Sequence, residues 1–155
     1  MWLSRIGSFG IVWLLIAAAL AFWWRRPVAL PLTFMAVLLG ETAQRTGKSL
    51  IDRERPAFRY PDPAPLMQIP HTHSFPSGHA AVSFACADTL ARFTSRRAAI
   101  ALYILAALIS WSRVYVGAHY PLDVLGGAIV GLALARALRL LPAALRRSRP
   151  APRAG

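Results

Sequence analysis

SRVYVGAHYPLDVLGGAIVGLALARALRLL, residues 112–141, is the stretch that decides the fold. From Pro121 onward it is apolar except for Asp123 at its start and Arg136 and Arg139 near its end. About 20 residues of helix cross the hydrocarbon core of a bilayer, so this run is long enough to span one. Pro121 suits the first helical position, where its missing N–H would be unpaired in any case. The arginines at the far end fit the cytoplasmic side of a membrane. The segment reads as a spanning helix that starts beside a short polar loop.

Working outward, four more apolar segments precede it: 6–24, 28–48, 79–93 and 98–111. The segment 28–48 turns polar after Gly40, and 79–93 is short and holds Asp88. Both remain plausible spans if they line a polar bundle interior. The fold class expected is all-α: an integral membrane bundle of about five transmembrane helices, with its polar site at the membrane interface. Residues 1–141 form one domain, and 142–155 read as a basic, disordered tail. The first segment has a rival reading, because Arg5 and the stretch 17–21 (AAALA) resemble a cleavable signal. Trp23 and Trp24 followed by Arg25 and Arg26 read instead as an aromatic belt and a cytoplasmic anchor.

The chain carries a net charge of +12 over 155 residues, and 56% of them are apolar. Such a charge can signal nucleic acid, but here the arginines cluster at the ends of apolar runs, so no nucleic-acid partner is expected. Arg25 and Arg26, then Arg92, Arg96 and Arg97, then Arg136, Arg139, Arg146, Arg147, Arg149 and Arg153 share one face of a five-span chain. The positive-inside rule makes that face cytoplasmic and puts the loops 49–77 and 112–120 outside. Arg5 alone runs against this assignment. Cys86 is the only cysteine, so no internal disulfide can form.

The two outer loops hold the chemistry-bearing residues. Lys48 and Arg55 are seven apart, and on a helix they would share a face that Pro56 ends. HTHSFPSGH, residues 71–79, runs into the third segment. There a helix N-terminus would offer free N–H groups to an anion, Ser77 a hydroxyl and Gly78 a close backbone approach. His79 would stand ready to give a proton to a departing oxygen. The bland alternative is a serine cap on a membrane helix. In the opening stretch, Asp123 falls in the first helical turn, where it could accept from Nδ1–H of His119 and leave Nε2 free as a nucleophile. Together the clusters supply cations, an oriented nucleophile and a proton donor, the parts that phosphoryl transfer through a covalent intermediate needs.

These clusters resemble the three-part signature of the type 2 phosphatidic acid phosphatase family, which shares its site with vanadium haloperoxidases and bacterial acid phosphatases. The pattern K-x6-RP, PSGH, SR-x5-H-x3-D is matched by Lys48, Arg55 and Pro56; by Pro76, Ser77, Gly78 and His79; and by Ser112, Arg113, His119 and Asp123. The resemblance implies a lipid phosphatase that uses no metal or other cofactor. His119 would attack phosphorus, Asp123 orient it and His79 protonate the leaving oxygen. Lys48, Arg55, Ser77, Gly78 and Arg113 would hold the phosphate. With the arginine distribution, the expectation is a bacterial plasma-membrane protein with its site on the extracytoplasmic side. The preferred substrate is a polyprenyl diphosphate or phosphate carrier lipid. Phosphatidylglycerophosphate and phosphatidic acid are the alternatives, and a non-catalytic lipid-phosphate binder or transporter is the reading of another class. Lipid phosphatases of the family carry six spans against the five counted here, the difference lying upstream of the signature.

The remaining features have local readings. His71 and His73 form a His-x-His pair without a carboxylate or cysteine partner nearby in sequence, so a place near the lipid headgroup is preferred to metal. Glu41 with Arg45 and Asp88 with Arg92 have helix-pair spacing. Gly127 and Gly131 form a GxxxG pattern that serves either packing inside the bundle or a homo-oligomer.

Overall fold

In the computed structural model, which describes residues 10–60, 62 and 68–147 (side chains to residue 140), the apolar runs become helices. In chain order these are α1 (Ile11–Trp23), α2 (Ala29–Leu50), the single turn α3 (Pro56–Arg59), α4 (Gly78–Ala91), α5 (Arg96–Tyr115) and α6 (Pro121–Arg147). There is no strand among the described residues. The all-helical expectation holds, and so does the start of α6 at Pro121. Helix α6 runs past the boundary expected at residue 141, through Pro142 to Arg147. Residues 1–9 and 148–155, with Arg5, Arg149 and Arg153, lie outside the described residues.

Helix α4 forms the axis of the bundle. It packs on α6, α5 and α2, and more lightly on α1. Its sequence explains the position: Ala80, Ala81, Ala85, Cys86 and Ala87 are all buried, and their small side chains let neighbouring backbones come close. Helix α6 answers with a stripe at four-residue spacing, Asp123, Gly127, Gly131 and Ala135, all buried. A Cβ on Gly127 would sit 2.4 Å from the Ser77 carbonyl oxygen, and one on Gly131 would sit 2.2 Å from that of Ala81. The GxxxG face is therefore filled by α4 of the same chain, which leaves it closed to the homo-oligomer considered from the sequence.

The outside of the bundle is apolar. Helix α5 exposes Ile100, Ile104, Leu108 and Trp111 along one face, and α6 exposes Leu122, Leu125 and Ile129. An apolar patch of this extent on a helical surface marks a lipid or protein contact. Two helices, Arg96–Tyr115 and the stretch Pro121–Leu140 of α6, are long and apolar enough to cross a membrane. At 1.5 Å per residue, α4, with 14 residues, extends only about 21 Å. Helix α1 is a shorter apolar helix, and α2 turns polar over its last turns. Five spans thus exceed what helix length and hydropathy alone establish.

At the end of the bundle away from the PSGH motif, Asp88 is buried on α4. It accepts from the Tyr103 hydroxyl at 2.6 Å and pairs with the Arg139 guanidinium. This corrects the sequence pairing of Asp88 with Arg92. The partners come from α5 and α6, because a buried carboxylate takes the donors that packing brings to it rather than a neighbour on its own helix. Glu41 and Arg45 do approach one another, at 3.8 Å.

Candidate active site

The three sequence clusters meet at one end of the bundle, where α2 ends and α4 and α6 begin. Lys48 lies in the last turn of α2. Arg55 does not continue that helix, contrary to the shared-face expectation. Its backbone is extended (φ −76°, ψ 149°), and Pro56 opens α3 instead of closing α2. The cause is local, since a residue before proline is pushed out of the helical region while proline itself suits a helix start. Arg55 reaches the site from its loop by hydrogen bonds. Nε donates to the Thr72 carbonyl at 2.8 Å, Nη2 to the Thr72 hydroxyl at 2.9 Å and Nη1 to the Ala118 carbonyl at 2.8 Å. Thr72 was not singled out from the sequence, and no periodic signal marks it.

Ser77 precedes α4 as its N-cap residue, yet its side chain makes no capping bond. Its backbone N–H donates to the Asp123 carbonyl at 2.9 Å. Its Oγ is buried without a hydrogen-bond partner among the described residues, and so is Oγ of Ser74. A buried hydroxyl left unpaired is costly, so the plain capping role fails for Ser77 and an acceptor-rich ligand fits it. Gly78 meets Gln44 of α2: a Cβ there would lie 2.9 Å from Gln44 Cδ. A side chain at this position would have to displace the Gln44 amide, a close approach the sequence did not reveal.

His119 sits in the turn between α5 and α6. Gly117 (φ +72°) reverses the chain there, and the Arg113 carbonyl accepts from the N–H groups of both Ala118 and His119. The ring is buried, with Nε2 3.3 Å from Arg55 Nη1. Guanidinium can only donate, so Nε2 presents a lone pair and the ring proton resides on Nδ1. Asp123 Oδ2 lies 3.7 Å from that Nδ1. This is ion-pair distance and not the hydrogen bond expected from the sequence. The carboxylate is occupied elsewhere: Oδ2 accepts the Tyr120 N–H at 2.9 Å, as a cap for α6, and Oδ1 accepts from Arg53 Nη1 at 2.6 Å. Arg53 is the second residue that the sequence reading passed over.

Burial holds the His119 pKa below 6.5. The Asp123 carboxylate draws it upward, and the charges of Arg55 and Lys48 push it down again. His79, in the first turn of α4, lies within electrostatic reach of Arg113, His119, Lys48 and Arg55, so these four predicted site residues gather around it. A cavity of about 260 Å³ opens beside His79 and Arg113 between α1, α4 and α5. Val12, Trp13, Val82, Leu105 and Ile109 give it apolar surface, and Ser83 and Ser112 line it as well.

His71 and His73 do not converge. His71 stacks on Phe58 with ring centroids 4.8 Å apart, and His73 Nδ1 lies 2.8 Å from Asp52 Oδ1. No cluster of three or more metal-ligating side chains occurs among the described residues.

Residues 28–147 match the family model described as "PAP2 superfamily". The chain is 35% identical over 136 residues to an undecaprenyl-diphosphatase of Sulfolobus acidocaldarius, covering 84% of this chain and 63% of that protein. It thus spans somewhat less than two thirds of that relative's length. Among solved structures it is similar to LpxE of Aquifex aeolicus, with TM-score 0.72, 28% identity and coverage of 84% and 78% of the two chains. It also resembles a transmembrane PAP2-type phosphatidylglycerolphosphate phosphatase of Bacillus subtilis, with TM-score 0.54, 29% identity and coverage of 89% and 70%.

Proposed function

The chain belongs to the PAP2 superfamily, and from that premise we propose that it removes phosphate from a membrane lipid, with a polyprenyl diphosphate as the preferred substrate. One observation carries the reading. The Nε2 lone pair of buried His119 faces the Arg55 guanidinium, and the unpartnered Ser77 hydroxyl lies at the start of α4. A phosphoryl group entering there meets a nucleophile, cations and a hydroxyl donor together. The similarity to an undecaprenyl-diphosphatase supports the choice of lipid.

In this mechanism the His119 lone pair forms a bond to phosphorus while the bond from phosphorus to the bridging oxygen breaks. The electron pair goes to that oxygen, which takes a proton from His79. Water then attacks phosphorus, gives its proton to His79, and breaks the bond from phosphorus to His119 Nε2, whose electron pair returns to the imidazole. Lys48, Arg55 and Arg113 neutralise the equatorial oxygens, with Ser77 Oγ and the Gly78 N–H as further donors. Asp123 balances the charge that His119 gains. The cavity beside His79, with Val12, Trp13, Val82, Leu105 and Ile109 in its lining, takes the part of the tail next to the phosphate.

Helices α1, α2, α4, α5 and α6 are taken as five spans of a bacterial plasma-membrane protein with the site on the extracytoplasmic side. The arginines support this arrangement: Arg25, Arg26, Arg92, Arg96, Arg97, Arg136 and Arg139 all fall at the opposite end. A single cysteine at exposed Tyr60 would report sidedness, since Cys86 is buried. Labelling only from the cytoplasm would reverse the orientation.

The test of activity is phosphate release in detergent with chelator present, from undecaprenyl diphosphate, undecaprenyl phosphate, phosphatidylglycerophosphate and phosphatidic acid. The reading expects the highest kcat/KM for the diphosphate. Preference for either glycerolipid would overturn the substrate, and release from none would overturn the activity.

A further inference from the structure

We propose that Arg53 is a positioning residue for this reaction: it fixes the Asp123 carboxylate and so sets how strongly that carboxylate acts on His119. The inference rests on the phosphatase reading and adds a residue that lies among the open positions of K-x6-RP. Its geometry is specific. Arg53 Nη1 lies 2.6 Å from Asp123 Oδ1, although the two residues are 70 apart in sequence. The Asp123 side chain is fully buried while that of Arg53 is 34% exposed, so the arginine reaches in from the loop over the site. Two further contacts hold it there. The guanidinium lies 4.2 Å from the Tyr120 ring centroid, and the Arg53 carbonyl accepts from the Ser74 N–H at 2.8 Å.

The consequence follows from how the carboxylate is divided. Oδ1 belongs to Arg53. Oδ2 serves the Tyr120 N–H and stops 3.7 Å short of His119 Nδ1. With both anchors in place Asp123 cannot close on the imidazole as a full hydrogen-bond acceptor. It stays ionised and near, ready to stabilise the imidazolium character that develops at His119 when phosphorus is attacked. Without Arg53 the carboxylate gains freedom to turn toward Nδ1, and one cation is lost from its side. The charged and titratable groups around the site of His119 are Asp123 on α6, His79 on α4, Arg113 on α5, Lys48 on α2, and Arg55 and Arg53 in the following loop. Removing Arg53 takes away the cation that holds Asp123 Oδ1, so more of the carboxylate's pull falls on His119. Protonated His119 then persists to higher pH.

The experiment compares wild type, Arg53→Met and Arg53→Lys in detergent, using farnesyl diphosphate as the probe. Arg53→Met should lose about ten- to hundredfold in kcat with KM changed less than about threefold, as for loss of a residue that orients a reacting group. The acid limb of its kcat/KM profile should move to higher pH. Arg53→Lys, which keeps the charge but not the fork, should recover part of both. ¹⁵N NMR titration of the His119 ring is read in parallel, and its midpoint should rise in Arg53→Met. Wild-type kcat and an unmoved pH profile in Arg53→Met would overturn the inference, and so would an unmoved His119 titration in that variant. The NMR arm needs no turnover, so a wild type that releases no phosphate refutes the phosphatase reading separately.

Discussion

Arg55 Nη1 stands 3.3 Å from His119 Nε2, on the nitrogen assigned to attack phosphorus. The same guanidinium is pinned by Thr72 and by the Ala118 carbonyl, so it is oriented before any substrate arrives. In the proposed reaction, a phosphoryl oxygen entering the site replaces the imidazole as its partner, which frees the lone pair at the moment the phosphorus is in reach.

That relationship makes Arg55 sensitive to shape as well as charge. Arg55→Lys keeps the cation but cannot hold Thr72 and Ala118 at once. Its kcat/KM for lipid diphosphate should fall about hundredfold or more, close to the loss in Arg55→Ala. Initial rates of phosphate release measure this, and a lysine variant within threefold of wild type would refute it.

The pH dependence follows from His119. Attack requires the neutral ring. Burial together with the Arg55 and Lys48 charges keeps its pKa under 6.5 despite the pull of Asp123. Activity should therefore persist as pH falls through 6.5, the usual histidine value, and be lost only at more acidic pH. A kcat/KM profile in which the acid limb is centred above 6.5 would contradict the environment described for the ring.

His79 is assigned to the leaving oxygen, so its importance should depend on how much that oxygen needs a proton. His79→Gln should slow hydrolysis of an alkyl phosphate about a hundredfold or more. It should slow p-nitrophenyl phosphate far less, because nitrophenolate leaves unprotonated. Equal losses on the two substrates would remove His79 from the role of general acid.

The helix contact beneath the site is equally testable. A Cβ at Gly131 would come within 2.2 Å of the Ala81 carbonyl oxygen. Gly131→Val should destabilise the folded bundle by about 1–3 kcal/mol, the usual range for overpacking. Thermal unfolding in detergent is the readout, and an unchanged midpoint would show that α4 and α6 do not pack there as described.

Much of this arrangement was legible in the sequence because it rests on local rules. Apolar runs located the helices, and Pro121 marked the start of α6. The motif residues of all three clusters do converge at one end of the bundle. What escaped depends on distant partners or on a local rule read the wrong way. Pro56 reads as a helix end in the sequence but opens α3 in the structure, so Arg55 lies in a loop and not on α2. Asp123 was given wholly to His119, four residues away, because nothing in the spacing reveals Arg53 reaching it across the chain. The same blindness paired Asp88 with Arg92 instead of Arg139. The Gly127/Gly131 pair is visible as glycines, but only the packed helices show which backbone oxygens require them.

The central claim is that His119 carries the phosphoryl group, and capture of the phosphoenzyme tests it most directly. Protein mixed briefly with ³²P-labelled lipid diphosphate and quenched in alkali should retain label that is stable to base and released by acid, mapping to His119 and absent from His119→Ala. Label on another residue, or full turnover by His119→Ala, would contradict the account.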